Sequence, residues 1–174
     1  MMSTSLHPYC EADRPLLRSL ELLYSHDFSE LTSLSLKEGG YFLNDAQFEQ
    51  YFLDVHATLI IRHAGKPAGF AIVADHSQLD GRPGVHDVLQ FFVLRGLRRL
   101  GVGRAAAISL FDRFPGPWEV RQIDANPAAQ AFWRKVVAEY SAGDYQERRW
   151  QEDDDSGVVQ SFIARGHPTE TELT

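Results

Sequence analysis

The segment Arg98-Arg99-Leu100-Gly101-Val102-Gly103-Arg104-Ala105 has the residue types of an anion-binding loop. It follows an apolar run at residues 88–94 and leads into a helical pattern over residues 102–114. Glycines at the mouth of a helix let the backbone approach a ligand closely, and the unpaired N–H groups of the first helical turn attract anions. Three arginines add charge that suits a phosphate. The segment therefore predicts a phosphate-binding loop.

A dinucleotide site is one ligand class to consider, because Gly101 to Ala106 satisfies G-x-G-x-x-A and Asp124 follows about 20 residues later. Two observations argue against it. A dinucleotide-binding strand runs almost directly into its first glycine, whereas residues 95–100 intervene here. That fold also needs two βαβαβ halves with the motif early in the first, and this motif lies past the middle of the chain.

The elements that must position this loop follow from apolar periodicity. Helices are predicted over residues 11–24, 45–53, 102–114 and 127–140, and a short helix near Asp27 or Ser29 after a break at residues 25–30. Strands are predicted at residues 57–62, 68–74, 86–94, 118–123, 145–151 and 158–164, with hairpin turns at 64–67 and 153–157. This order predicts an α/β fold (a mixed α+β sheet) in one domain over residues 1–165, with a disordered tail over 166–174.

Composition narrows the class of protein. The chain has 174 residues and a net charge of −7, which disfavours a nucleic-acid partner and favours a cationic substrate. No apolar run is long enough to cross a membrane, and the N-terminus lacks the layout of a signal peptide. The single cysteine, Cys10, cannot form an internal disulfide, which fits a reducing compartment. We therefore expect a cytoplasmic protein without a membrane partner.

The residues from Arg98 to Gly103 match R-x-x-G-x-G/A, and the chain here resembles the GNAT (GCN5-related N-acetyltransferase) superfamily of acetyl-CoA-dependent enzymes. Downstream, Asn126-Pro127-Ala128-Ala129-Gln130-Ala131-Phe132-Trp133 resembles that family's second signature, an Asn followed by Ala and an aromatic residue on a helix. The resemblance covers roughly residues 58–164. It implies a single GNAT-like acyl-CoA N-acyltransferase domain with splayed central strands.

The resemblance also implies roles for particular residues. The backbone of Leu100, Gly101, Val102, Gly103 and Arg104, with the Arg98 and Arg99 side chains, would hold the diphosphate of acetyl-CoA. Three strand residues would meet the pantetheine arm and thioester through their backbone: Phe92, Val93 and Leu94. Asn126 would bind the cofactor arm, although Asn before Pro127 also suits an ordinary helix N-cap.

Acetyl transfer to an amine requires a neutral nucleophile, while a lysine-like amine with a pKa of about 10.4 is almost fully protonated at pH 7. We expect Asp87 to take the proton, directly or through water, with His86 as second choice. A solvated strand-end charge is the alternative for Asp87. Gln90 stands where relatives often carry an acid, and it cannot serve as a base. The main-chain N–H of Val93 or Leu94 is the family-implied oxyanion donor.

Trp133 stands where the family often has a tyrosine that protonates the leaving thiolate. An indole N–H donates a hydrogen bond but supplies no proton. Trp133 would therefore be a cofactor contact or a core aromatic. The missing tyrosine also motivates a second hypothesis, a non-catalytic acyl-CoA-binding regulatory module with the same fold.

The acceptor wall is expected near the first helices, at Tyr24, His26, Asp27 and Glu30. Asp27 and Glu30 also have the spacing of a capping box, which would make them structural. The histidines are scattered, and neither they nor Asp153-Asp154-Asp155 form a metal-ligand pattern, so no metal is expected and the acidic run is predicted to be a solvated hairpin turn. The acceptor, a small-molecule or peptide amine, stays open, and a homodimer is a family-level expectation only.

Overall fold

A seven-stranded mixed sheet organises the computed structural model, which describes residues 3–53 and 56–166. Its strands are β1 (Thr4–Pro8), β2 (His56–His63), β3 (Lys66–His76), β4 (Pro83–Val93), β5 (Gly116–Ile123), β6 (Tyr145–Glu152) and β7 (Asp155–Ala164). The α-helices are α1 (Arg14–Phe28), α2 (Asp45–Glu49), α3 (Val102–Arg113) and α4 (Pro127–Tyr140), with short 3-10 turns at Glu11–Asp13, Gln50–Phe52 and Arg95–Leu97. The spatial order is β1-β2-β3-β4-β5-β7-β6, and the described strands pair antiparallel except β4 with β5.

Alternation along the strands builds a core on each face of the sheet. Neighbours Leu59 and Ile60 of β2 point to opposite faces, as do Ala71 and Ile72 of β3. Leu59 and Ala71 pack with α3 and α4. Ile60 and Ile72 pack with α1 and α2. The sheet is therefore covered by helices on both sides, which fixes the positions of the strand ends and of the loop before α3.

Most predicted elements are confirmed. Helix α4 begins at Pro127 because Asn126 caps it: its Oδ1 accepts from the Ala129 N–H at 3.0 Å, and proline suits the first helical position. The β2–β3 and β6–β7 hairpins form as expected. The predicted mixed α/β sheet is confirmed as well.

The first helix differs from the prediction. The helix runs past its predicted end at Tyr24 and ends at Phe28, inside the expected break at residues 25–30. Ser25 is buried inside the helix, where its Oγ donates to Glu21 one turn earlier, so its hydroxyl does not compete with the backbone. The short helix predicted near Asp27 or Ser29 is wrong: Asp27 lies in the last turn of α1 and Ser29 is its C-cap.

Strand β1 is an element that the periodicity missed. It is a short edge strand whose residues are half-buried or exposed, and it pairs antiparallel with β2. The predicted disordered tail falls outside the described residues from position 167 onward. Among the described residues, no helix has the length and apolarity needed to span a membrane.

Candidate functional site

A cleft of about 1220 Å³ opens where β4 and β5 separate. The two strands pair only at His86 with Trp118 and at Asp87 with Glu119, although β4 continues to Val93 and β5 to Ile123. The pairing of β4 with β3 skips Leu89, which marks a β-bulge at the start of the gap. The predicted splayed central strands are thus present, and the gap between them forms the middle of the cleft.

The backbone of β4 presents free donors to this gap. The Leu94 N–H donates to the Ala68 carbonyl of β3 at 2.8 Å, so it is used by the sheet and is unavailable as an oxyanion donor, contrary to prediction. Hydrogen-bonded pairs alternate along an antiparallel ladder, which turns the N–H groups of Phe91 and Val93 away from β3 and toward the gap. Sequence reasoning chose Val93 but missed Phe91.

The glycine loop (residues 98–104) closes one end of the cleft. Arg99 and Gly101 have left-handed backbone, with φ of 63° and 83°. The first helical bond of α3 runs from the Ala105 N–H to the Gly101 carbonyl at 2.9 Å. Within the described chain, no backbone carbonyl accepts from the N–H groups of residues 99–104. The loop therefore offers a run of unpaired donors at a helix N-terminus.

Two of the three loop arginines, Arg98 and Arg104, are held in place by carboxylates. Arg98 donates from Nη2 to Asp27 at 2.5 Å and from Nε to the Val93 carbonyl at 2.9 Å. Arg104 forms an ion pair with Glu139 of α4. Arg98, Arg99 and Arg104 all line the cleft, as do Gly101 and Gly103, while Val102 buries its side chain in the core. Leu100 is exposed and lies outside the lining.

The second signature forms the α4 wall of the cleft. Asn126 lines it while capping α4, so the structure shows the cap and leaves the cofactor contact a prediction. Trp133 is 5% exposed and packs edge-on against Phe91 and Phe132, with ring centroids 5.0 Å apart in both pairs. Its indole N–H has no hydrogen-bond partner within the described chain. Trp133 is therefore a core aromatic with one edge on the cleft.

Asp87 does not reach the cleft. It is fully buried, and its Oδ2 accepts from the Gln78 N–H at 3.0 Å and from Arg121 Nε at 3.2 Å. Burial raises the pKa of Asp87 above its ordinary value, partly offset by the charge of Arg121. No atom of Asp87 lines the cleft, whereas Arg121 does. This placement fits a residue that positions Arg121 rather than the predicted general base.

His86, the second choice for a base, points to the face of the sheet opposite Asp87. There its ring packs against that of Trp118, with ring centroids 5.1 Å apart. It does not line the cleft. Gln90 does line it, and its amide makes no hydrogen bond within the described chain, although its Oε1 is fully buried.

The wall formed by the end of α1 differs in part from the prediction. Tyr24, Asp27 and Glu30 line the cleft, and His26 does not. The capping-box alternative for Asp27 is wrong because the residue lies inside α1. Burial raises the pKa of Asp27, but the hydrogen bonds and charges of Arg95 and Arg98 outweigh it, so the net shift is downward. Asp27 is thus neutralised by arginines and does not present a free charge to a substrate.

Four acidic residues without ion-pair partners in the described part of the chain line the cleft and form what we call an acidic rim, and sequence reasoning found only one of them. We use this name for Glu30, Glu152, Asp153 and Asp155, which all line the cleft. None of them forms an ion pair within the described chain. The sequence of the β6–β7 turn is that of a solvated turn, and the pairing of β7 with β5 brings it to the cleft. Trp150 lies beside it.

Comparison with known proteins agrees with this architecture. The sequence model described as "Acetyltransferase (GNAT) family" matches residues 20–137, more than half of the chain. No curated protein matches the chain.

Solved structures share the fold. An acetyltransferase from Thermus thermophilus has a TM-score of 0.67 at 13% identity, covering 92% of this chain and 97% of that one. The ribosomal-protein-S18-alanine N-acetyltransferase from Escherichia coli has a TM-score of 0.59 at 16% identity, covering 99% and 100%. AAC(6')-Ib in complex with paromomycin and acetyl-CoA has a TM-score of 0.66 at 17% identity, covering 92% and 93%.

Identities this low show a common fold and nothing finer, whereas the family match covers both the glycine loop and most of α4. The chain therefore belongs to the acetyltransferase (GNAT) family and is an acyltransferase of that type.

Proposed function

We propose that the protein is an acetyl-CoA-dependent N-acetyltransferase that acetylates a primary amine by direct attack within a ternary complex. The observation that carries this proposal is the run of unpaired N–H groups at residues 99–104, placed at the end of a cleft between separating strands. A diphosphate needs such donors at a helix N-terminus.

The residues present fit acetyl-CoA. The loop backbone, with Arg98, Arg99 and Arg104 nearby, would hold the diphosphate, and the Asn126 amide would contact the cofactor arm. A Cβ on Gly103 would stand 3.4 Å from the Phe132 ring, so glycine keeps α3 close to α4 beside the loop. Bound acetyl-CoA would supply an activated acyl carbon and a thiolate leaving group.

Two backbone donors on β4 would serve the rest of the cofactor. Val93 is the donor nearer the glycine loop, and Phe91 is the donor nearer the last β4–β5 pair. We assign Val93 N–H to the pantetheine arm and Phe91 N–H to the oxygen that becomes negative during attack. A fixed N–H group in a partly enclosed cleft stabilises such an oxyanion without reorganisation.

The acceptor amine reaches the cleft as an ammonium ion and must lose a proton. The acidic rim attracts a cation, and its carboxylates are the unpaired bases that line the cleft among the described residues. They would pass the proton to solvent. The leaving thiolate needs little help because a thiol has a pKa of about 8.5, and the Trp133 N–H is available to donate to it.

The acidic rim and the solved structures of similar fold support a small-molecule or peptide amine as the acceptor. AAC(6')-Ib has been solved with paromomycin, ribostamycin and kanamycin, and the S18-alanine enzyme acts on an alanine of a ribosomal protein, as its name states. An amine acceptor of either kind carries an ammonium group in solution, which matches the acidic rim.

Thiol release tests the proposal. Wild-type protein with acetyl-CoA should release free thiol when a suitable amine is supplied, with one acetyl group appearing on that amine by mass spectrometry. The panel should contain polyamines, aminoglycosides, amino acids and peptides. Binding of acetyl-CoA without turnover across the whole panel would instead support the non-catalytic module.

A further inference from the structure

Two polar side chains that line the cleft, Arg121 of β5 and Gln90 of β4, have polar atoms without partners within the described chain. Arg121 is two residues beyond Glu119, the last residue of β5 that pairs with β4. Gln90 is three residues beyond Asp87 on the opposite strand, directly after the bulge. Both line the cleft, and Gln90 directly precedes Phe91, the donor assigned above to the oxyanion.

Arg121 is fixed but incompletely paired. Its side chain is 20% exposed, and its Nε donates to Asp87 at 3.2 Å, while its guanidinium carbon lies 5.9 Å from the centre of the Trp150 ring. Its two terminal nitrogens, Nη1 and Nη2, have no partner within the described chain. The free edge of a guanidinium can donate two parallel hydrogen bonds to one carboxylate.

The neighbouring ion pairs leave the terminal nitrogens of Arg121 unused. Glu119 is also buried, and its oxygens accept from Ser77 at 2.6 Å, Arg82 at 2.9 Å and Arg148 at 3.3 Å. Arg82 also pairs with Asp80 at 2.7 Å, so the cluster with Asp87 and Arg121 contains three carboxylates and three guanidinium groups. Arg121 is the arginine of this cluster that lines the cleft, and its terminal nitrogens have no partner within the described chain. A carboxylate on the ligand would pair with that free edge.

Gln90 adds the complementary group. Its Oε1 is fully buried without a partner within the described chain, and an unsatisfied buried oxygen is costly. Because this oxygen has no accessible surface, the Gln90 amide must rotate to bring Oε1 to the cleft, where an amine nitrogen would donate the missing hydrogen bond. A ligand that satisfies both residues must carry an amine and a carboxylate a short distance apart.

We propose that the acceptor is an α-amino acid, with Arg121 binding its carboxylate and Gln90 accepting from its amine; this rests on the proposed function. Asp87 is then a positioning residue that holds Arg121. In the reaction the amine nitrogen forms a bond to the thioester carbon and the carbon–sulfur bond breaks. The proton lost by nitrogen returns through solvent to the thiolate, which yields an N-acetyl amino acid and free coenzyme A.

The test compares acceptors that differ only in the carboxylate. Each proteinogenic amino acid is assayed beside its carboxamide and the amine obtained by removing the carboxyl group, with thiol release as the readout. We expect at least one amino acid to exceed its carboxamide in kcat/KM by about 10- to 100-fold, the range of one charge-assisted pair. In Arg121→Gln this ratio should fall to about one, mainly through KM, while the Kd for acetyl-CoA stays unchanged.

Matched variants separate recognition from folding. Arg149→Gln removes an arginine whose partner is Asp124 and which does not line the cleft, so it should keep the wild-type ratio. The pair Asp87→Asn with Arg121→Gln leaves no unpaired carboxylate at Asp87 and should still lose the preference, whereas Arg121→Lys keeps the charge and should keep part of it. Carboxamides acetylated as well as acids, or a preference that survives in Arg121→Gln, would overturn the proposal.

If acetyl-CoA binds but no amine is acetylated, the same panel is titrated into coenzyme A-saturated protein by calorimetry. A preference for acids over carboxamides that depends on Arg121 then supports the proposal, and its absence overturns it. Failure of acetyl-CoA itself to bind would instead refute the proposed function.

Discussion

Asp27 accepts a hydrogen bond from Arg98 at 2.5 Å, which joins the last turn of α1 to the beginning of the glycine loop. Its other oxygen accepts from Arg95 at 2.8 Å. Because Arg98 also donates to the Val93 carbonyl, one carboxylate links the acceptor-side helix, the loop and the end of β4. These hydrogen bonds therefore hold the end of α1, the glycine loop and the end of β4 together.

Replacing Asp27 by Asn should lower the free energy of unfolding at pH 7 by about 1–2 kcal/mol, the contribution of a charged hydrogen-bonded pair. The pKa of Asp27 is lowered in the folded protein, so its stabilisation is present above the ordinary carboxyl pKa and is lost as the pH falls through the lowered value. Urea denaturation of wild type and variant at pH 7 and pH 3 measures this difference.

Asp45→Asn is the control for Asp27, because the Asp45 side chain is 98% exposed in its pair with Arg18. It should change stability by less than about 0.5 kcal/mol at either pH. An Asp27→Asn variant as stable as wild type at pH 7 would contradict the link between helix and loop.

Glu21 should have the opposite pH dependence. It is fully buried, and burial raises its pKa even though the Ser25 hydroxyl donates to it. A raised carboxyl pKa means that stability falls as the pH rises through the folded value. Glu21→Gln should therefore increase the free energy of unfolding at pH 8 by about 1–2 kcal/mol and change it little at pH 4. Equal effects at both pH values would show that Glu21 does not titrate in this way.

Trp133→Phe should separate packing from catalysis. The smaller ring leaves a cavity between Phe91, Phe111 and Phe132, so we expect the free energy of unfolding to fall by about 1–3 kcal/mol. Because the thiolate leaves readily, kcat should fall less than about threefold. A fall of two orders of magnitude in kcat, with acetyl-CoA affinity unchanged, would show that the indole N–H acts on the leaving group.

Neutralising the acidic rim should weaken cationic acceptors. In the double variant Asp153→Asn with Asp155→Asn, kcat/KM for a basic acceptor should drop roughly 3- to 10-fold at low salt, and less at high salt. The control is Asp154→Asn, since Asp154 lies between these two residues but does not line the cleft. An equal loss in the control would show a general charge effect instead of a contact in the cleft.

The sequence predicts the elements whose signals are local. The cap at Asn126 and the proline after it define the start of α4, and apolar, β-branched runs on either side of a turn define β2 and β3. Strand β1 depends on a tertiary contact, its edge pairing with β2, whereas the last turn of α1 contains a buried hydrogen bond between Ser25 and Glu21 of the same helix. Apolar periodicity shows neither contact.

The residues of the candidate site also divide into those that the sequence shows and those that only the fold brings to the cleft. The glycine loop is visible as a motif, whereas Arg121 becomes a cleft residue only because β5 separates from β4 after Glu119. The use of the Leu94 N–H by Ala68 depends on the strand register, which no spacing in the sequence indicates. Asp87 is a sensible base by type and position, but its burial and its pairing with Arg121 come from the packed sheet.

Calorimetric titration with acetyl-CoA tests the central claim most directly, using two glycines with nearly equal backbone angles. Gly101 (φ 83°) lies in the loop and Gly143 (φ 84°) follows α4 away from the cleft, and a Cβ at either position meets nothing within 4 Å. Both Asp variants therefore carry similar strain. We predict saturable binding by wild type and Gly143→Asp and its loss in Gly101→Asp. Undiminished binding in Gly101→Asp would contradict the loop as the diphosphate site.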